Sequence, residues 1–404
     1  MAKLTKVQGS VLGVGGFIQL SRFASTKTED NKDGILRAIK YMKANSIGKL
    51  IVDGKFKVKG TLPLDTGISY TGLGKSTTGF IFSESEVGFS VKTGTTYSPE
   101  IRDMIIQSYD KSGMVGVNAN NANQLHMSNV QITGFSTGLS VAGRSYYANF
   151  ERVRVLDSSI GVSIESGSRG ITFIDVSTDS SLCNFQIKSI DDNINNITLI
   201  NPKAEKVKQG GCGFKFITEG STSISGFSVY SGRFDPDSND TEQSFITLVD
   251  TPNIRNIVFD DITLFHIPAA NYITGEDVNK EISITGTQLG FGVSRVEILN
   301  IHDAKDKTQA GLLKFYTSTV NPRIEATDRK TGKHVGIRVK NIEAMEGVIR
   351  VRNPIEMREP CISVDNCTYI NPLKLGSWYL WFSEGGSFRK KKGLPLSDGD
   401  GEAV

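Results

Sequence analysis

Short runs in which every second residue is apolar recur through the middle of this chain. They are NVQITGF at Asn129–Phe135, RVRVLDS at Arg152–Ser158, GITFIDVS at Gly170–Ser177, NITLINP at Asn196–Pro202, SGFSVYSG at Ser225–Gly232 and RNIVFDD at Arg255–Asp261. Asp, Asn, Ser or Gly closes each run. Alternation over so few residues predicts a half-buried strand. The central apolar residues Ile132, Val155, Phe173, Leu199, Phe227 and Ile257 recur at unequal steps of about 25 residues on average, within the range of solenoid repeats.

One strand per repeat of that length predicts a solenoid. Helical repeats need apolar residues at i, i+3 and i+4, and leucine-rich repeats need a fixed leucine ladder; both are missing. An antiparallel sandwich would place strands roughly every 8–12 residues with tight hairpin signals. No Asn-Gly or Asp-Gly occurs between Gln124 and Leu264. The expected fold is therefore an all-β, parallel β-helix. Strand-like runs continue less regularly through Glu281–Gly286, Arg295–Ile301, Leu312–Ser318, Gly336–Ile342 and Cys361–Ile370, so the coil is expected over residues of about 50–370.

Ahead of the strands, EDNKDGILRAIKYMKAN spaces Ile35, Ile39 and Met42 for one amphipathic helix, over about residues 32–45, with Asp30, Asn31 and Asp33 as candidate caps. Its place suits a lid over the first rung, which would otherwise be an open sheet edge. Residues 1–28 read as an irregular leader or attachment segment, 29–370 as the coil with its capping helix, and 371–404 as a C-terminal cap and disordered tail. The acidic cluster, the helix and GKLIVDGKFKVKGTLPLDTGISYTGLG resemble the start of the pectate-lyase-like right-handed β-helix superfamily. The Gly-aromatic turn Gly54–Phe56 and the Gly-x-Gly turn Gly72–Gly74 carry the likeness, with Asp53–Gly54 in place of a Pro-Pro-Gly turn. Bacteriophage tailspikes and capsule depolymerases look most alike. The resemblance implies a right-handed coil, a homotrimer and a place in a phage tail or baseplate.

Composition narrows the function. A net charge of +3 does not argue for nucleic acid, and no apolar run reaches membrane-spanning length. The four cysteines, Cys183, Cys212, Cys361 and Cys367, have no zinc spacing and are read as buried thiols of a chain folded in a reducing cytoplasm. No metal or other cofactor is expected. GLGKST at Gly72–Thr77 ends like a phosphate-binding loop, but Ser69 stands where that loop needs glycine. Glycines break the N-terminal apolar patch, which argues against a signal peptide, and the resemblance implies a virion protein made in the host cytoplasm, with a secreted protein as the alternative.

Two groups of residues are candidates for chemistry. Asp157, Asp175, Asn201, Ser231 and Asp261 each follow a strand, as corner residues that bond the turning backbone or as a column of carboxylates facing a groove. Pro202–Phe245 reads as a long loop excursion bearing Glu205, Asp235 and Asp237, with Lys203, Arg233, Tyr230 and Phe234 placed to bind sugar and uronate groups. Glycosidic hydrolysis needs two carboxyl groups roughly 5–5.5 Å or 6.5–9.5 Å apart, which rungs one or two apart supply. The expected catalytic residues are thus Glu205, Asp235 and Asp237, with Asp157 and Asp175 as second choice. A lyase would use Lys203, Arg233 or Tyr230 instead. The resemblance to tailspike depolymerases implies endo-cleavage of a bacterial surface polysaccharide, by hydrolysis or elimination. The alternative is a non-catalytic carbohydrate-binding or structural fibre protein.

Overall fold

The computed structural model describes residues 16–289 apart from 85, 92–93, 110–114, 208–209, 237–242, 251–252, 266, 268–272, 276–281, and then the strands 294–301, 311–316, 323–328, 334–335, 373–375, 378–382, 388–392 and 402–403. Two compact units divide at Lys333 and His334.

The first unit is a parallel β-solenoid of about eight turns, with one α-helix among its described residues, near the start. Each turn lays down three strands, so the coil has three faces. On the first face Tyr70, Ile101, Met127, Phe150, Phe173, Leu199, Val229 and Phe259 are register partners in succession. On the second face Phe80, Ile106, Ile132, Val155, Thr178, Ala204, Phe234 and Leu264 form the equivalent column. Phe89, Val117, Leu139, Val162, Phe185, Phe214 and Ile246 do so on the third. All of these point inward and are buried. In-register aromatic partners stack face to face across one rung. Phe150 and Phe173 lie 4.8 Å apart at 15°, and Phe185 and Phe214 lie 5.0 Å apart at 10°.

The residues that the sequence groups as one repeating column belong to different columns. Ile132 and Val155 lie on the second face, whereas Phe173, Leu199, Phe227 and Ile257 lie on the first. The step from Val155 to Phe173, the shortest of the series, changes face. The true partner of Val155 is Thr178, whose hydroxyl hid it from an apolar search. Followed down the second face, the turn lengthens from Ile132↔Val155 and Val155↔Thr178 to Ala204↔Phe234 and Phe234↔Leu264.

The helix is Lys32–Ala44 and buries Ile35, Ala38, Ile39 and Met42. Asp30 holds its start, accepting from the Lys32 and Lys59 amides at 2.9 and 3.0 Å. Asn31, the residue in the cap position, spends its side chain instead on Ser25, Thr28 and Lys57. The coil starts earlier than a boundary at residue 29 allows, because Phe17–Gln19 pairs in parallel with Lys49–Ile51.

Among the described residues, Ile282–Leu289 is the last strand of the parallel coil. Ser294–Ile301, Gly311–Tyr316 and Arg323–Asp328 follow as an antiparallel meander. Ile298 partners Lys314, too near in sequence for the chain to have travelled round three faces. Alternation marks both strand types equally, so the sequence pattern does not separate them. Runs 336–342 and 361–370 lie outside the described residues. In the second unit, Leu373–Leu375, Trp378–Phe382, Phe388–Lys392 and Glu402–Ala403 form an antiparallel sheet. Of the expected tail, Glu402–Ala403 pairs as a strand with Arg389–Lys390, and 393–401 and 404 lie outside the described residues.

Candidate functional site: paired ladders on the second face

The second face is narrow. Its strands Ser177–Asp179, Lys203–Glu205 and Arg233–Asp235 each expose two side chains and bury the one between. Pro202, following the left-handed residue Asn201, starts the middle strand, and Ala204 fills the inward position. The register then aligns Asp179, Glu205 and Asp235 on consecutive rungs. Arg154, Ser177, Lys203 and Arg233 align two positions earlier. An acidic ladder and a basic ladder therefore run side by side, about 4.8 Å per rung.

The acids are half-buried, with side-chain exposures of 18% for Asp179, 26% for Glu205 and 29% for Asp235. Lys206 Nζ lies 2.7 Å from Asp179 Oδ2. That hydrogen bond, and then the attraction of the carboxylate, hold the Lys206 ammonium above its ordinary pKa. Arg233 bonds Asp235 through Nη2 and holds Nε 3.9 Å from Glu205 Oε1. Its guanidinium also lies 4.5 Å from the centre of the Phe265 ring. One planar cation is thus fixed against two carboxylates and an aromatic face. Among the described residues no group of three or more His, Cys, Asp or Glu is arranged to hold a metal ion.

Glu205, Asp235, Lys203 and Arg233 are therefore brought together, on regular strands. Pro202–Phe245 is not a loop excursion: it contains Lys203–Glu205, Cys212–Thr218, Ile224–Tyr230 and Arg233–Asp235, more than a full turn of the coil. Its many polar residues are the outward half of an alternating pattern. Phe234 is fully buried and packs on Phe245 at 5.4 Å, so it offers no face to a sugar. Tyr230 is 41% exposed at the end of its first-face strand, one rung from exposed Ile200. Asp237 lies outside the described residues.

The corner aspartates divide. Asp175, Asn201, Ser231 and Asp261 stack at the corner between first and second faces, all with φ of 52–55°. Asn201 Nδ2 donates to Asp175 Oδ1 at 2.6 Å, and Ser231 Oγ to Asp261 Oδ2 at 3.2 Å. Asp157 is not in that column. It turns the chain from second to third face and accepts from Thr133 Oγ1 at 3.4 Å. The acid missed in the sequence is Asp179. It is legible only once the turn is measured correctly, because it stands one full turn before Glu205, its register partner.

No family model matches the chain, and no curated protein matches it. Several solved structures are similar. The tailspike gp42 of Acinetobacter phage vb_AbaP_AS12 is 10% identical over 90% of this chain and 88% of that one, with a TM-score of 0.40. The A-module of the Azotobacter vinelandii mannuronan C-5 epimerase AlgE6 is 13% identical over 65% of this chain and 87% of its own, with a TM-score of 0.39. The Streptococcus pneumoniae surface protein and adhesin PfbA is 11% identical over 66% and 97%, with a TM-score of 0.29.

Proposed function

We propose that this protein cleaves a bacterial surface polysaccharide on the second face of its coil, by hydrolysis between Glu205 and Asp235. The observation that carries this is the in-register pair of half-buried carboxylates sharing Arg233. Rungs one apart bring two carboxyl groups close to the roughly 5–5.5 Å of a retaining glycosidase. Asp235, bonded to Arg233, serves as the nucleophile. Glu205 serves as proton donor to the leaving oxygen and then as base toward water. Lys203 and Arg233 pair with acidic groups of the glycan, and Tyr230 stacks on a sugar ring. Asp237 is a further candidate acid, and Asp157 and Asp175 come next if the ladder proves inert.

The homotrimer and the place in a phage tail rest on the resemblance of the opening segment to tailspikes. The test is digestion of purified capsule and lipopolysaccharide, followed by mass analysis of the fragments. New reducing ends are expected. Glu205→Gln and Asp235→Asn should each lower the rate by several orders of magnitude with little change in unfolding midpoint. Near-native rates in both variants would remove the ladder from the chemistry. Unsaturated uronate ends would instead assign an elimination to Lys203, Arg233 or Tyr230. Binding without fragments would make the protein a carbohydrate-binding fibre.

A further inference from the structure

Far from the acid ladder, the edge where the third face turns into the first carries another left-handed column. Gln124, Tyr147, Gly170, Asn196, Gly226 and Asn256 occupy it with φ of 52–67°. Glycine and asparagine suit such a corner; residues with larger side chains, such as glutamine and tyrosine, adopt it less readily. Yet Tyr147 keeps this conformation and is 74% exposed, so its ring gains little from packing. Strain at an exposed residue that adds nothing to the core points to a role other than packing.

The ring has a built seat. A Cβ added to Gly170, on the next rung, would fall 3.2 Å from Tyr147 Cδ1 and 3.3 Å from Cε1. Only glycine lets one face of the ring settle there while the other stays open. The preceding residue, Tyr146, is half-buried beneath Arg169, whose guanidinium is 6.0 Å from the ring centre and 3.3 Å from Asp192. Tyr97 stands two rungs earlier and is 54% exposed. Asn123 pairs with Tyr97 and accepts from the Tyr146 amide at 3.0 Å, so Tyr97 shares its column with Tyr146, one position before Tyr147, and Gln124 holds the place of Tyr147 on the intervening rung.

We propose that Tyr97 and Tyr147 form a second carbohydrate-binding site, which holds a polysaccharide by stacking its pyranose rings. Two rungs are about 9.6 Å, close to the span of a disaccharide, so the two open rings meet alternate sugar units. Arg169 stands beside them for an acidic group. This edge does not border the second face, so a glycan held here is tethered rather than cleaved. The site rests on the reading that the protein acts on a glycan.

The test is an array of capsular and O-chain fragments probed with the full chain in four forms. Wild type and Glu205→Gln/Asp235→Asn should bind alike. Tyr97→Ala/Tyr147→Asn should bind about tenfold more weakly, the effect of losing an aromatic stacking contact. Its unfolding midpoint should not fall, since asparagine already fills this corner at positions 196 and 256. Tyr97→Phe/Tyr147→Phe keeps the rings and should retain binding. Equal binding by the Tyr97→Ala/Tyr147→Asn form would overturn the second site and leave the cleavage reading standing. Absence of any glycan binding by wild type would sink both.

Discussion

Single residues on this coil do different work according to which way they point. Tyr70 points inward, is fully buried and donates its hydroxyl to the Pro63 carbonyl at 2.7 Å. Burial, and then the charge of Asp65, push its pKa far above the usual 10.0. Folding is thus favoured while the phenol stays protonated. That contribution is complete below pH 10.0 and is lost as pH rises toward the higher folded value. Titration followed by tyrosinate absorbance should show one phenol that ionises only on alkaline unfolding, and Tyr70→Phe should abolish that lag. The Phe variant should also lose about 1 kcal/mol, the net contribution of that hydrogen bond. Cys183 and Cys212 are register partners in the core with sulfurs 3.4 Å apart. Burial pushes the Cys183 thiol up. The Cys183 contact holds the Cys212 thiol down instead, but both are buried, so iodoacetamide should leave both untouched in the native protein and modify both after unfolding. Rapid modification without unfolding would contradict their burial.

At the scale of the element, strand and corner obey different rules. A strand needs only alternation, which the sequence displays. A corner needs one residue at positive φ, and Asp, Asn, Ser and even Arg152 supply it between first and second faces. Their meaning as candidate acids could not be separated from their meaning as corners until the side-chain partners were known. Asn201→Ala should cost about 1–2 kcal/mol, because alanine pays the left-handed penalty and gives up the bond to Asp175. Asn201→Gly should cost less. Gly79 is stricter. Its φ is 149°, and an added Cβ would lie 1.9 Å from the Ile105 carbonyl oxygen of the next rung. Gly79→Ala should lower the yield of folded protein or its midpoint far more than Asn201→Ala does, as read by circular dichroism on heating.

At the scale of the whole molecule, a parallel coil makes neighbours of residues one turn apart and leaves all others distant. A cavity made in one rung is felt by the rungs above and below. Phe185→Ala, in the stack with Phe214, should cost about 3–5 kcal/mol and shift the denaturant midpoint with little change in slope. The proposed homotrimer should scatter light as three chains of 44.0 kDa, and a monomeric mass at micromolar concentration would remove it.

Fold class lay in the sequence because strand alternation and burial are local consequences of a two-residue side-chain period. The helix that opens the coil was equally legible, as Ile35, Ile39 and Met42 share one face whatever they pack against. Register was not local. Turn length varies, and Thr178 and Ala204 interrupt the apolar column of the second face, so only the folded coil could decide which residues are partners. That decision turned Lys203–Glu205 and Arg233–Asp235 from a loop into strands and buried Phe234. It also set Asp179 beside Glu205. The point where parallel winding gives way to an antiparallel meander, after Leu289, was likewise a tertiary matter. An alternating strand carries its faces in its sequence, but the direction of its neighbour is chosen by the path of the connecting chain.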